Sequence, residues 1–236
     1  MTTTVAAKKD TRQWVLDLQR SLQQPGMSLI NHPTINKIVA GELTRPQLRL
    51  FAEQTFWTIS QGEKLFGLGL VNAPNREVRL KAWEVLVEEM MGHITKTDNH
   101  IELLWKFCEA VGVPQGERNN IRPMPASLVF AQYSEFLARC RPWYYSTVGI
   151  GLALEGQVPG TYTKLVPALH KRYGLTLEQT IFFSVHLKAD KDHGDTASAL
   201  LGKYVSSEDE MRELEIVAHH AAKMWCDIWS LPLQIT

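Results

Sequence analysis

Residues 31–57, NHPTINKIVAGELTRPQLRLFAEQTFW, decide the fold class. Apolar side chains recur in this stretch at spacings of three and four, the period of an amphipathic helix, and the same spacing continues along the chain. Thr44 and Gln47 have the form of a capping box, in which two side chains satisfy free amides of a first helical turn. Residues 176–179 and 207–210 repeat the pattern. Because alternating strand-like runs are hard to find, the sequence predicts an all-α protein.

The helical segments are long, and glycines and prolines separate them. There is no internal repeat, so we expect a bundle packed around a central cavity rather than a solenoid. Residues 1–9 are predicted to be a disordered N-terminal tail, and residues 10–236 a single helical domain. The predicted helices span residues 11–22, 33–40, 45–71, 75–91, 99–111, 126–156, 160–173, 177–204 and 208–229.

The composition excludes several classes of protein. Of 236 residues, 25 are basic and 25 acidic, and a formal charge of zero argues against a nucleic-acid partner. No run approaches the roughly 18 apolar residues of a membrane span, and the first residues lack the apolar core of a signal peptide. The 3 cysteines are far apart, which argues against a disulfide framework or a thiolate zinc site. We therefore expect a cytoplasmic protein without a membrane partner.

Residues 184–195, SVHLKADKDHGD, contain the first candidate metal ligands. His186, Asp190 and His193 follow one another at steps of four and three, which on a helix places them within about 60° of one another. One helix would then present all three to the interior. The neighbouring lysines and aspartates equally fit a solvated polar face without ligands.

Glu155, in GIGLALEGQ, is the sharpest signal elsewhere in the chain. It is the one charged residue between Trp143 and Thr163, and an isolated carboxylate in apolar surroundings is costly unless it is paired or binds a cation. The alternative is a structural pairing with a lysine or arginine.

Glu88 and Glu89 precede Gly92, which is placed to cap the C-terminus of their helix, and His100 opens the next helix. A glutamate, a glycine turn and a histidine at a helix start would aim two ligands at one point. His93 is the alternative to Glu89, because it lies on the face of His100 if that helix extends back by two turns.

Together these positions supply three carboxylates and three imidazoles without a thiolate. Such a set suits two iron or manganese ions better than structural zinc. The chain has no Glu-x-x-His pair, so it does not follow the ferritin-like pattern. The candidate ligands are one of Glu88 and Glu89, together with His100, Glu155, His186, Asp190 and His193.

The order of these ligands resembles that of the haem-oxygenase-like di-iron oxidases and oxygenases. Residues 31–57 and ELLWKFCEAVGV at 102–113 are similar to the wider fold, which includes TenA, PqqC and CADD-like proteins. The resemblance implies a haem-oxygenase-like helical bundle over about residues 11–229. It also implies one iron near Glu89, His100 and His193, a second near His186 and Asp190, and Glu155 as the bridge.

The family uses dioxygen as a co-substrate, so the resemblance implies a non-haem di-iron oxygenase or oxidase in which Glu155 and His186 are essential. Some members make p-aminobenzoate from a tyrosine of their own N-terminal helices. The first tyrosine here is Tyr133, and Phe56 and Trp57 occupy that region. We therefore expect a separate small substrate, such as an amino acid, an amine or a carboxylate, and an external electron donor is compatible with this chemistry.

Other functions fit the same fold. A metal-free PqqC-like oxidase would bind its substrate among the histidines, and a TenA-like hydrolase would use Cys140 as a nucleophile. A non-catalytic binding module belongs to a third class. Trp57, Tyr144 and Lys164 are candidate substrate contacts, through aromatic packing or through a charge on a carboxylate. A homodimer is expected as the commonest oligomer.

Overall fold

The computed structural model describes residues 11–235, except for the side chains of residues 188–195. The predicted tail, residues 1–9, lies outside this range. The described residues contain helices and no strand, which confirms the all-α prediction. The helices are α1 (Thr11–Ser21), α2 (Pro33–Ala40), α3 (Arg45–Ile59), α4 (Gly62–Val71), α5 (Arg76–Met91), α6 (His100–Ala110), α7 (Pro125–Cys140), α8 (Trp143–Ser146), α9 (Val158–Tyr173), α10 (Ile181–Tyr204) and α11 (Glu208–Ser230).

The predicted capping boxes mark helix starts in the structure. At the start of α3, the side chain of Gln47 accepts a hydrogen bond from the amide of Thr44 at 2.9 Å. The hydroxyl of Thr44 accepts one from the amide of Gln47 at 3.4 Å. The box at residues 207–210 starts α11, and the box at residues 176–179 precedes a 3₁₀ turn that leads into α10. Local hydrogen bonding therefore sets where these helices begin.

Two predicted helices are interrupted. The prediction of one helix over 45–71 is wrong, because Ser60 and Gln61 separate α3 from α4. Their side chains both donate to the carbonyl oxygen of Trp57, at 2.7 and 3.3 Å, and so compete with the helical backbone for it. The prediction of one continuous helix over residues 126–156 is also wrong.

The second interruption lies where Arg141 precedes Pro142. Arg141 is extended, with φ −119° and ψ 160°, because a following proline disfavours the helical conformation. After α8 the chain forms a π-helical segment, Thr147–Leu152, and then a 3₁₀ turn, Glu155–Gln157. The candidate ligand Glu155 thus lies at the start of an irregular turn instead of inside a regular helix.

Two apolar clusters hold the helices together. The larger joins α2, α3, α6, α9 and the ends of α10 and α11 around Phe51, Phe107, Phe183 and Trp229. The second packs α1 and α7 against α11 and the π-helical segment. No helix of residues 11–235 combines the length and the apolar character that a bilayer crossing requires.

His32 links the start of α2 to the end of α11. Its Nδ1 accepts a hydrogen bond from the amide of Thr34 at 3.2 Å, and its Nε2 donates to the carbonyl oxygen of Cys226 at 3.0 Å. Burial lowers the pKa of His32 to about 4, against smaller opposing effects of that carbonyl and of Asp227. The neutral imidazole is therefore the form that the fold requires.

We expect the free energy of unfolding to depend on pH through His32. Since its folded pKa is below its unfolded value, its contribution is complete above about pH 6.5 and falls towards pH 4, by roughly 2 to 3 kcal/mol at pH 4.5. His32→Asn keeps a helix-capping side chain but does not titrate. Urea unfolding at pH 7 and pH 4.5 should show a smaller loss of unfolding free energy in the variant than in the wild type. Equal losses in the two proteins would contradict the assignment to His32.

Candidate metal centre

Three buried side chains from three helices meet in the described part of the chain. Glu89 lies at the end of α5, His100 at the start of α6 and His186 in α10. One ligand atom from each lies within 4.8 Å of the others. The group contains three of the six predicted ligands and mixes carboxylate oxygen with imidazole nitrogen, a donor set that suits divalent iron or manganese.

The two oxygens of Glu89 face the two imidazoles. Oε2 lies 3.0 Å from Nδ1 of His100, and Oε1 lies 3.9 Å from Nε2 of His186. The ring centroids of the two histidines are 4.6 Å apart. This arrangement lets one carboxylate share a cation with either imidazole.

The orientation of His186 is fixed by its own helix. Its Nδ1 donates to the carbonyl oxygen of Phe182 at 2.7 Å, and the phenyl ring of Phe182 packs against the imidazole with centroids 4.2 Å apart. Because the proton is held on Nδ1, Nε2 carries the lone pair on the side of Glu89. A backbone carbonyl that orients a histidine in this way is typical of metal-binding imidazoles.

The turn between α5 and α6 brings Glu89 and His100 together. Gly92 ends α5 in the left-handed conformation, with φ +54°, and a Cβ there would lie 2.6 Å from the carbonyl oxygen of Thr97. The side chain of Asn99 then caps α6 by accepting hydrogen bonds from the amides of Ile101 and Glu102. The capping role predicted for Gly92 is confirmed.

Glu88 is fully buried beside the three ligands and holds this turn. It accepts hydrogen bonds from the amides of Ile94 and Thr95 and from the hydroxyl of Thr95, and its Oε1 lies 3.3 Å from Nε2 of His100. Burial acts to raise the pKa of Glu88, but these bonds and the charge of His100 outweigh it, so the pKa is lowered. Sequence reasoning noted this glutamate without assigning it a role; its adjacency to Glu89 was the available signal.

The remaining predicted ligands lie in different situations. Glu155 is half-buried and lines the same cavity as Glu89 and His186. Asp190 and His193 lie on the helical backbone of α10, but their side chains are outside the described residues.

His93 is exposed in the turn and outside the group of three. The two-turn extension of α6 on which its alternative role depended is wrong, since α6 begins at His100. Its distance along the chain from His100 therefore no longer places it on the same helix face.

The cavity beside the ligands has about 800 Å³ of empty space, counting the part open to solvent. Its wall is mostly apolar and aromatic. Sequence reasoning missed most of it, because it comes from helices that are distant in the chain. The aromatic lining residues are Phe66, Phe130, Tyr162, Phe182 and Trp225.

The structure does not bring the predicted substrate contacts to this wall. Trp57 is half-buried elsewhere on α3, and Tyr144 stacks on Tyr145 and donates to Glu210. Lys164 is exposed and donates to the carbonyl oxygen of Ile30 at 3.3 Å. None of Trp57, Tyr144 and Lys164 is among the described residues that line the cavity.

We expect the turn at Gly92 to be essential for the ligand geometry. Gly92→Ala should lower the free energy of unfolding by at least about 2 kcal/mol, because a left-handed alanine is strained and its methyl group meets Thr97. Gly174→Ala is the matched control, since Gly174 also ends a helix with a positive φ but has open space around it. Its expected loss is about 1 kcal/mol, the strain of a left-handed alanine alone.

The measurement is urea unfolding combined with a ferrous titration of each variant. Only Gly92→Ala should also weaken metal binding. Equal effects of the two substitutions on both quantities would show that the turn does not position Glu89 and His100.

The family of iron-containing redox enzymes matches residues 49–226 of the chain. A 4-aminobenzoate synthase from Nitrosomonas europaea is 26% identical over 213 residues, which cover 85% of this chain and 82% of that protein. The resemblance of the sequence to haem-oxygenase-like proteins is thereby confirmed at the level of the family.

Solved structures agree on the fold. A TenA homologue from Pseudomonas syringae superposes with a TM-score of 0.80 at 12% identity, covering 94% of this chain and 93% of that one. A protein with a haem-oxygenase-like fold from Shewanella denitrificans gives a TM-score of 0.75 at 16% identity, with 94% and 90% covered. The chain therefore belongs to the family of iron-containing redox enzymes and has a haem-oxygenase-like, all-α fold.

Proposed function

We propose that the protein is a non-haem di-iron oxygenase or oxidase that uses dioxygen to oxidise a small substrate. The observation that carries this proposal is the buried group of Glu89, His100 and His186 beside an apolar cavity. Membership of an iron-containing redox family supports it.

The donor set fits iron on its own chemistry. The three side chains offer carboxylate and imidazole but no thiolate, and two of them are at most 7% exposed. In the proposal, Glu155, Asp190 and His193 complete the donor set, so that six side chains would hold two ions. When bound, two ferrous ions supply two electrons to dioxygen.

The described residues act by positioning and by excluding water. The carbonyl of Phe182 holds the His186 proton on Nδ1, so this imidazole approaches a cation through Nε2. Glu88 fixes the turn that places His100. Tyr162, Phe182 and Trp225 give the cavity an apolar wall, which keeps bulk water from a reactive centre.

A second function is favoured by the name of the relative from Nitrosomonas europaea, a 4-aminobenzoate synthase. Tyr162 is buried and lines the cavity beside Glu155 and His186, so it is the tyrosine that this structure would offer to such a reaction. The absence of a tyrosine before Tyr133 still favours a separate substrate over a tyrosine from the N-terminal helices.

The hydrolase alternative gains no support from the geometry. Cys140 is exposed at the end of α7 and is not among the described residues that line the cavity. A metal-free oxidase of the PqqC type would use the same histidines, so metal content separates it from the proposal.

Anaerobic titration with ferrous ion, followed by oxygen uptake, tests the proposal. We expect two irons per chain in the wild type. Alanine at Glu89, Glu155 or His186 should remove at least one iron and lower oxygen uptake by at least 100-fold, because each substitution deletes a ligand.

His93→Ala is the matched control, an exposed histidine close to the site in sequence, and it should bind iron as the wild type does. Oxygen uptake that survives both chelation and His186→Ala would exclude the di-iron proposal and favour the metal-free alternative.

The 4-aminobenzoate function has its own readout. Iron-loaded protein exposed to oxygen and a reductant is analysed by mass spectrometry for free 4-aminobenzoate and for mass loss at Tyr162. We expect neither in the wild type, since we propose a separate substrate. Release of 4-aminobenzoate that disappears in Tyr162→Phe, but persists in the control Tyr133→Phe, would establish the second function instead.

A further inference from the structure

We infer that the cavity accepts an amine with an apolar or aromatic body, and that Glu63 binds its ammonium group. This inference rests on the proposed function, since it names the substrate class for the same site.

The described residues that line the cavity include three glutamates and a histidine but no lysine or arginine. Glu89 belongs to the ligand group, and Glu155 is proposed as a ligand. Glu63 is therefore a third carboxylate on the wall, to which the metal chemistry assigns no role. At Glu63 a substrate carboxylate would meet like charge, whereas an ammonium group would meet a partner.

The break between α3 and α4 brings Glu63 to the wall. α4 begins at Gly62, directly after the interruption at residues 60–61, and both Gly62 and Glu63 line the cavity. A continuous helix over residues 45–71 would not start a new turn at this point. The irregularity that the sequence did not predict is thus what positions this carboxylate.

The orientation of Glu63 is tied to the metal-binding helix. Its Oε1 accepts a hydrogen bond from Nδ2 of Asn99 at 2.8 Å, and Oδ1 of Asn99 caps the turn that begins with His100. A carboxylate has about four acceptor positions, so one bond from Asn99 leaves room for an ammonium donor. A substrate held by Glu63 would lie in the same cavity as Glu89 and His186.

The rest of the wall suits the body of such a substrate. Phe66, Phe130 and Trp225 present aromatic surface, and Thr58 is the one hydroxyl besides Tyr162 among the described lining residues. An apolar body gains from leaving water, and a cation near aromatic rings gains further.

A neighbouring cavity offers the opposite charge. It shares Leu65, Phe66, Ile150 and Glu155 with the first cavity, but it is also lined by Lys81. The Nζ of Lys81 lies 2.7 Å from Oε2 of Glu84, so a carboxylate substrate bound there would share this cation with Glu84.

Three probes of similar size separate the possibilities: 2-phenylethylamine, 2-phenylethanol and 3-phenylpropanoate. Each is titrated calorimetrically into anaerobic, ferrous-loaded protein and into metal-free protein. We expect the amine to bind at least tenfold more tightly than the alcohol in both forms, and 3-phenylpropanoate to bind most weakly in the metal-free protein, where no ferrous ion can accept its carboxylate.

Glu63→Gln should reduce amine binding at least tenfold and leave the alcohol unaffected, because glutamine keeps the size and the acceptor for Asn99 but loses the charge. Its ferrous loading should match that of the wild type. Glu109→Gln makes the same charge change on an exposed position of α6 and should alter neither amine nor alcohol binding.

Equal binding of amine and alcohol, or an amine preference that survives Glu63→Gln, would overturn the inference while ferrous loading still supports the proposed function. Tightest binding of 3-phenylpropanoate, lost in Lys81→Met, would also overturn it. Absence of ferrous loading in the wild type would defeat the proposed function, and the effect of Glu63→Gln in metal-free protein would still decide whether Glu63 binds the amine.

Discussion

An ionised carboxylate inside an apolar bundle is stable only when hydrogen bonds, an opposite charge or a cation replace its water. Glu88 and Glu89 meet this constraint in different ways although they are adjacent in the chain. Glu88 takes its hydrogen bonds from the turn after Gly92, whereas Glu89 faces the imidazoles of His100 and His186. The conformation of the turn and the start of α6 both follow from this division, and so does the meeting of the three candidate ligands.

Local patterns predicted much of the fold. The helix starts at residues 45 and 208 follow from capping boxes, and the end of α5 follows from Gly92, because each depends on a few neighbouring residues. The interruption at Ser60 and Gln61 was missed because neither residue breaks a helix by itself. It depends on which donor reaches the carbonyl of Trp57, and packing decides that competition.

In the candidate site, too, local sequence patterns predicted some residues, and tertiary packing decided the others. Glu89 and His100 were predicted because a short turn connects them, and His186 because helical spacing sets it beside other ligand types. The candidate substrate contacts were chosen for their chemistry and for their nearness in sequence to the candidate ligands. Neither property determines which cavity a side chain reaches, and this is why Trp57, Tyr144 and Lys164 lie elsewhere. Tyr162 and Trp225 lie on buried faces of α9 and α11, where an aromatic residue of the core has the same sequence pattern as one on a cavity wall.

Glu155 lines both cavities, which lie side by side and share Leu65, Phe66 and Ile150. Glu155 begins the 3₁₀ turn that follows the π-helical segment. At this point the chain leaves the regular helical path. One carboxylate can therefore be approached from two directions. Because the two cavities share these walls, a substitution at Leu65, Phe66 or Ile150 would reshape both cavities at once.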